Sequence, residues 1–164
     1  MLTGQDTKSI SISTTKLQTY LKQVPLALQA ITDEEWADKR PGKWSRKEQV
    51  GHLIDSALNN LKRFTDAQAS DSAYVVQRYE QDHLVRVNQY QALPVAHLLS
   101  LWISLNQQIL YVVGAIPETT LARPVVIDPA HESAYTLGWL IDDYVRHLEH
   151  HLLTLLPGGL SSDQ

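Results

Sequence analysis

The sequence predicts an all-α fold, a four-helix bundle with long crossover connections and short additional helical turns. Three observations predict it. Apolar residues recur at three- and four-residue steps in four separate segments, which is the period of an amphipathic helix. Capping and stop residues bracket those segments. The stretches between them include long, turn-rich crossings, as in bundles whose helices are not simply up-and-down neighbours.

Residues 1–13 are polar and read as a flexible segment. One domain is expected over 14–157, and 158–164 reads as a flexible tail. The first helix is expected over Thr14–Ala30, on Leu17, Tyr20, Leu21, Val24 and Leu28, with Ile31 continuing the pattern. Pro25 lies inside it and either kinks the helix or begins a second piece. Asp33–Trp36 reads as a short helical turn, and Arg40-Pro41-Gly42-Lys43 as a turn.

The clearest helix start follows. Ser45 with Glu48 three residues on is a capping box, and Trp44 before it is placed to staple onto Gln49 or Val50. The second helix is expected from Arg46 to about Asp66, with Val50, Leu53, Ile54, Ala57, Leu58, Leu61 and Phe64 as its apolar stripe. A polar strip of His52, Asp55, Ser56, Asn59 and Arg63 runs beside that stripe. It faces either solvent or a wet pocket at the end of the bundle.

After a loop at Ala67–Ala73, a short helix is expected near Gln81–Gln89. Pro94 suits the first turn of the third helix, Val95–Val113. Its stripe is Leu98, Leu99, Trp102, Leu105, Ile109 and Val112, and Gly114 marks its end. Pro117–Leu121 reads as another short turn. Arg123–Ser133 reads as an extended crossing with one or two short strand-like pairings. The fourth helix starts near Tyr135-Thr136, capped by Thr136, with Leu137, Leu140, Ile141, Tyr144, Leu148, Leu152 and Leu155 inward. Pro157-Gly158-Gly159 stops it.

Composition narrows the function. The chain has 164 residues, 43% of them hydrophobic, enough for a core without staples. Cysteine is absent, which excludes disulfides, a cysteine nucleophile and cysteine-ligated zinc, and suits a reducing compartment. With 14 basic and 18 acidic residues the formal charge is −4. That is not the electrostatic footprint of a nucleic-acid binder. There is no secretory pattern at the N-terminus and no apolar run near the roughly 18 residues of a membrane span. A cytoplasmic protein without membrane or nucleic-acid partners is the expectation. No serine–histidine–acid arrangement and no phosphate-binding glycine loop stands out.

Chemistry is concentrated in the histidines, of which there are seven. His147 and His151 lie four apart on the fourth helix, about 40° apart around its axis and about 6 Å along it, so two imidazoles can share one metal ion. The H-E-x-x-H glutamate is missing, because Leu148 fills that slot. His52 on the second helix is the best candidate for a third ligand. Three histidines leave a metal with an open position, the catalytic arrangement. His150 competes with His151, and its angle around the helix favours leaving it outside. Asp143 and Asp55, each one turn from a histidine, are either partners that orient an imidazole or solvated carboxylates. His83, His97 and His131 lack a partner at useful spacing and read as surface or loop histidines.

Pro41-Gly42-Lys43-Trp44-Ser45, Glu48 and Gly51-His52-Leu53, with Asp55, resemble the second-helix signature of the DinB-like (YfiT-like, damage-inducible) superfamily. Asp143-Tyr144, His147 and His150-His151 resemble its fourth-helix signature. The order and spacing match, and the resemblance covers nearly the whole chain. It implies a bundle of unusual connection order and a divalent transition metal, nickel or zinc, held by His52, His147 and His151. It also implies a homodimer and a small-molecule substrate. The activity implied is that of a metal-dependent hydrolase, or of a thiol S-transferase using a low-molecular-weight thiol.

Hydrolysis needs a general base, for which Asp55, Asp143 and Glu149 are the candidates. Thiol transfer needs instead a pocket for the thiol, with Arg63 or Arg146 as basic lining, because a metal lowers a thiol pKa itself. A non-catalytic bundle that binds a small ligand is the remaining alternative, marked by a closed site or none.

Overall fold

The computed structural model describes residues 4–70, 72–130 and 134–156. Four long helices form the bundle: α1 (Gly4–Leu28), α3 (Arg46–Ala69), α5 (Val95–Gly114) and α7 (Leu137–Leu155). Short helices α2 (Asp33–Ala37), α4 (Gln81–Val87) and α6 (Glu118–Leu121) punctuate the connections, and a 3₁₀ turn spans Tyr90–Ala92.

Two boundaries and one buried position differ from the sequence reading. α1 begins at Gly4, so part of the 1–13 segment is helical. Its early turns are polar in sequence, yet Ile10 and Ser13 are buried, and Ser9 and Ser13 donate hydrogen bonds to Asp142 of α7. Tertiary contact thus overrides weak local patterning. Pro25 lies within one continuous helix, three residues before its end at Leu28. α3 runs one turn past Asp66. Leu58, assigned to its buried stripe, is 46% exposed, because the buried arc turns toward Asn60 instead. The expected stop at Pro157–Gly159, the 158–164 tail and His131 lie outside the described residues.

The expected caps are present. Ser45 Oγ accepts from the Glu48 amide at 3.2 Å, and the Glu48 carboxylate accepts from the Ser45 amide at 2.9 Å. A second capping box, Thr32 with Glu35, starts α2. Thr136 caps α7 by accepting from the Trp139 amide at 3.1 Å.

α3 packs against α5 and α7, and α1 packs against the same two. The consecutive helices α1 and α3 are therefore diagonal across the bundle, and so are α5 and α7. This connection order sets α3 beside α7, which is what brings distant histidines together. The crossings are pinned by a small sheet. β1 (Tyr74–Val75) pairs in parallel with β2 (Pro124–Val126), which pairs antiparallel with β3 (Ala134–Thr136).

Trp102, Phe64, Leu98, Ile109, Ile141, Leu148 and Leu152 centre the core. Asn106 of α5 is fully buried among them. Its amide donates to the Trp102 carbonyl and its oxygen accepts from the Tyr144 hydroxyl, which satisfies both polar groups. Among the described residues, no helix is long and apolar enough to cross a membrane.

Candidate metal centre

His52 faces inward from the second turn of α3 and is fully buried. His147 and His151 come from consecutive turns of α7 and are half-buried. One ring nitrogen from each lies within 4.8 Å of the others. The Nε2 atoms of His52 and His147 are 3.1 Å apart. Imidazole nitrogens at about 2.1 Å from a shared ion are separated by roughly 3.0 Å at right-angle coordination and roughly 3.4 Å at tetrahedral coordination. The observed separation falls between these, so this pair is spaced to share a transition metal, with a His151 nitrogen within 4.8 Å of both. Carboxylates, the hard ligands, take no part in the cluster, which suits zinc or nickel better than magnesium or calcium.

The environment keeps the imidazoles in the neutral, ligating form. Burial, with His151 and His147 beside it, pushes His52 down to about 3. Burial and the adjacent His147 and His150 push His151 down to about 4. Burial also lowers His147, against the opposing pull of Asp143. The unfolded chain, with imidazoles near 6.5, therefore binds more protons than the fold below that value. Stability of the metal-free protein is complete above pH 6.5 and falls as pH drops toward 4. Urea midpoints measured at pH 7.5, 6, 5 and 4.5 should decline monotonically, and the decline should flatten in His52→Ala.

His150 is exposed and outside the cluster, with its ring 5.5 Å from that of His151. His83 and His97 are exposed, away from the site. Trp44 is more than a helix staple. Its carbonyl accepts from the Gln49 side chain, and its ring lies 4.9 Å from that of His52. It forms an apolar wall over the imidazole.

The candidate bases separate clearly. Glu149 is bound by Tyr20 and Lys16 of α1, where it fastens α1 to α7 and is unavailable as a base. Asp55 is buried and accepts from the Tyr90 hydroxyl at 2.6 Å and the Asn88 amide at 2.9 Å. Neither it nor Asp143 makes a hydrogen bond to an imidazole, so the orienting role considered for them is not seen. Asp143 pairs with Arg146 at 3.1 Å and lines a cleft of about 340 Å³ that also reaches His147.

Of the polar strip read on α3, Ser56 and Arg63 line that cleft, whereas His52 and Asp55 are buried outside its lining. Ser56, Asn60 and Arg63 of α3 form one wall and Trp139 of α7 another, with Tyr79 over the top. Asn60, Tyr79 and Trp139 carried no signal at the sequence level, because they reach the cleft through packing of separate elements. A second opening, lined by Trp44, Gln49, His150, His151 and Thr154, lies on the other side of the cluster.

A family model for the DinB superfamily matches residues 17–155. The chain belongs to the DinB superfamily. Among solved structures, this DinB-superfamily chain matches YfiT from Bacillus subtilis, described as a probable metal-dependent hydrolase with an unusual four-helix bundle topology. The TM-score is 0.73 at 21% identity, over 92% of this chain and 84% of YfiT. At that identity the likeness shows the fold. No curated protein matches the sequence.

Proposed function

We infer that this DinB-superfamily protein is a metal-dependent enzyme of hydrolytic type, with His52, His147 and His151 as the ligands of a divalent transition metal, zinc or nickel. The observation that carries the reading is the convergence of three neutral imidazoles from α3 and α7, of which His147 lines an open cleft. A divalent ion held by these three residues would supply Lewis acidity and an acidified water. The likeness to YfiT supports the same chemistry.

The chain's own residues do the rest. His52, buried behind Trp44, fixes the site within the bundle. Asp143 stands one turn before His147 in the same cleft and is the carboxylate assigned to accept the proton of the attacking water. Ser56 and Asn60 offer polar groups along the wall. Trp139 and Ile127 offer apolar surface that sheds water when substrate enters.

The opening beside His151 favours a second reading, thiol transfer, because it gives a second substrate its own approach. The test is turnover by protein loaded with zinc or nickel, against protein stripped with EDTA. It would use amide and ester panels, then low-molecular-weight thiols with electrophilic acceptors. Metal-dependent hydrolysis lost in Asp143→Asn is the expected result. Conjugate formation without hydrolysis would replace it with transfer. No metal-dependent turnover of either kind would leave a ligand-binding bundle.

A further inference from the structure

We propose that the cleft recognises a small carboxylate-bearing substrate, with Arg63 as the residue that takes its single negative charge. This rests on the reading of the histidine cluster as the reaction centre and adds to it the class of substrate.

Arg63 lies eleven positions after His52 on α3. At about 100° per residue that is three turns and nearly the same face, so His52 and Arg63 serve one side of the helix. The guanidinium leans back toward the histidines, as helical side chains do. Its Nη1 donates to Asn60 Oδ1 at 3.3 Å, and its Nη2 donates to the Gln77 carbonyl at 2.6 Å. The Tyr79 ring packs 5.5 Å from Cζ. These contacts hold the group in one orientation and none of them cancels its charge. Among the described residues no carboxylate lies within ion-pair distance of it. The other cations near the cleft are spent: Arg78 is paired with Asp128 and Arg146 with Asp143.

Asp143 acts on Arg63 only across the cleft and is itself paired with Arg146; a half-buried, immobilised cation with no carboxylate in contact is better accommodated when a ligand supplies the charge. The planar fork of arginine matches a carboxylate with two parallel hydrogen bonds. Two further observations select a monoanion. Glu80 also lines the cleft and would repel a second negative charge on the ligand. Trp139 and Ile127 provide apolar surface for the body of the molecule. The carboxylate is an anchor, remote from the reacting group, which lies toward His147.

Benzoate and its neutral isostere benzamide are the probes. Each is titrated into the full chain, zinc-loaded and EDTA-stripped, with the Trp139 indole and Arg63 Nε resonances followed by NMR. The expected result is millimolar benzoate binding in both forms, at least tenfold weaker for benzamide. Arg63→Gln should weaken benzoate at least tenfold, and Arg63→Lys, which keeps the charge without the fork, by less. Equal binding of the two probes, or unchanged benzoate binding in Arg63→Gln, would overturn the assignment. If Arg63→Gln fails to fold, the comparison of probes on the unmodified chain still decides it. Benzoate that binds the zinc form alone and ignores Arg63 would place the anion on the metal, and the Arg63 assignment falls. Arg63-dependent binding in a chain that retains no zinc would keep the anion site and remove the metal centre.

Discussion

His52→Ala should abolish stoichiometric metal binding while leaving the bundle folded. Full-length protein without a histidine tag, equilibrated with zinc or nickel and desalted, should carry close to one metal per chain by mass spectrometry. The variant should carry almost none, with affinity down by at least about 100-fold, since loss of a group that merely supports a ligand already costs 10–100-fold. Folding should survive, because His52 makes no hydrogen bond to a residue other than His147 and its Nδ1 is buried without a partner. Removing that unpaired group offsets part of the packing lost. His150→Ala, by contrast, should retain metal, as that side chain is exposed and outside the cluster. Loss of metal in His150→Ala with retention in His151→Ala would reverse the ligand assignment.

Gly51→Ala should be the most crowded glycine-to-alanine change among the described residues, and strongly destabilising. A Cβ at this position would stand 2.1 Å from Cδ2 and 2.2 Å from Cγ of Tyr90. Those atoms belong to the root of a ring, so rotation of a flexible tip cannot relieve the contact. The ring is also held at its far end, where the hydroxyl donates to Asp55. Either Tyr90 leaves, stranding a buried carboxylate, or α3 shifts and carries His52 with it. Overpacking of this kind costs about 3 kcal/mol. For a chain of this size that is a fall in Tm of roughly 6–12 °C, measurable by circular dichroism. A Tm within 2 °C of the parent would show that the Tyr90 segment is not packed as described. Gly138→Ala is the control, since its nearest neighbour lies at an ordinary 3.6 Å.

The contrast between these glycines shows what was legible in the sequence. Helix positions were readable where a local device signalled them, such as Ser45 with Glu48 or Thr136 before Leu137. The start of α1 was not, because its polar residues Ser9 and Ser13 bond to Asp142, far along the chain. The candidate ligands could be read from the i, i+4 pair and the resemblance, yet their surroundings could not. Trp44 looked like a staple and is a wall over His52. Asp55 was open between an orienting partner and a solvated carboxylate, and is buried and tied to Tyr90. Glu149 was one of three candidate bases and is a fastener to α1. In each case the sequence supplies the chemical type, whereas the role depends on which element packs opposite. Gly51 before His52 held the clue to Tyr90, since a glycine inside a helix signals a close neighbour.

The diagonal placement of consecutive helices has a consequence for how the protein acquires its shape. An up-and-down bundle can zip together from neighbouring hairpins, but here α1 must wait for α5 and α7, and α7 for α3, so much of the interior rests on partners distant in sequence. Helical proteins dominated by local contacts fold fastest. This one should fold more slowly than its helix content suggests, after its loops have been closed at an entropic cost. An ion shared by His52 and His147 would span 95 residues, serving as the clasp of a chain that has no disulfide to do so.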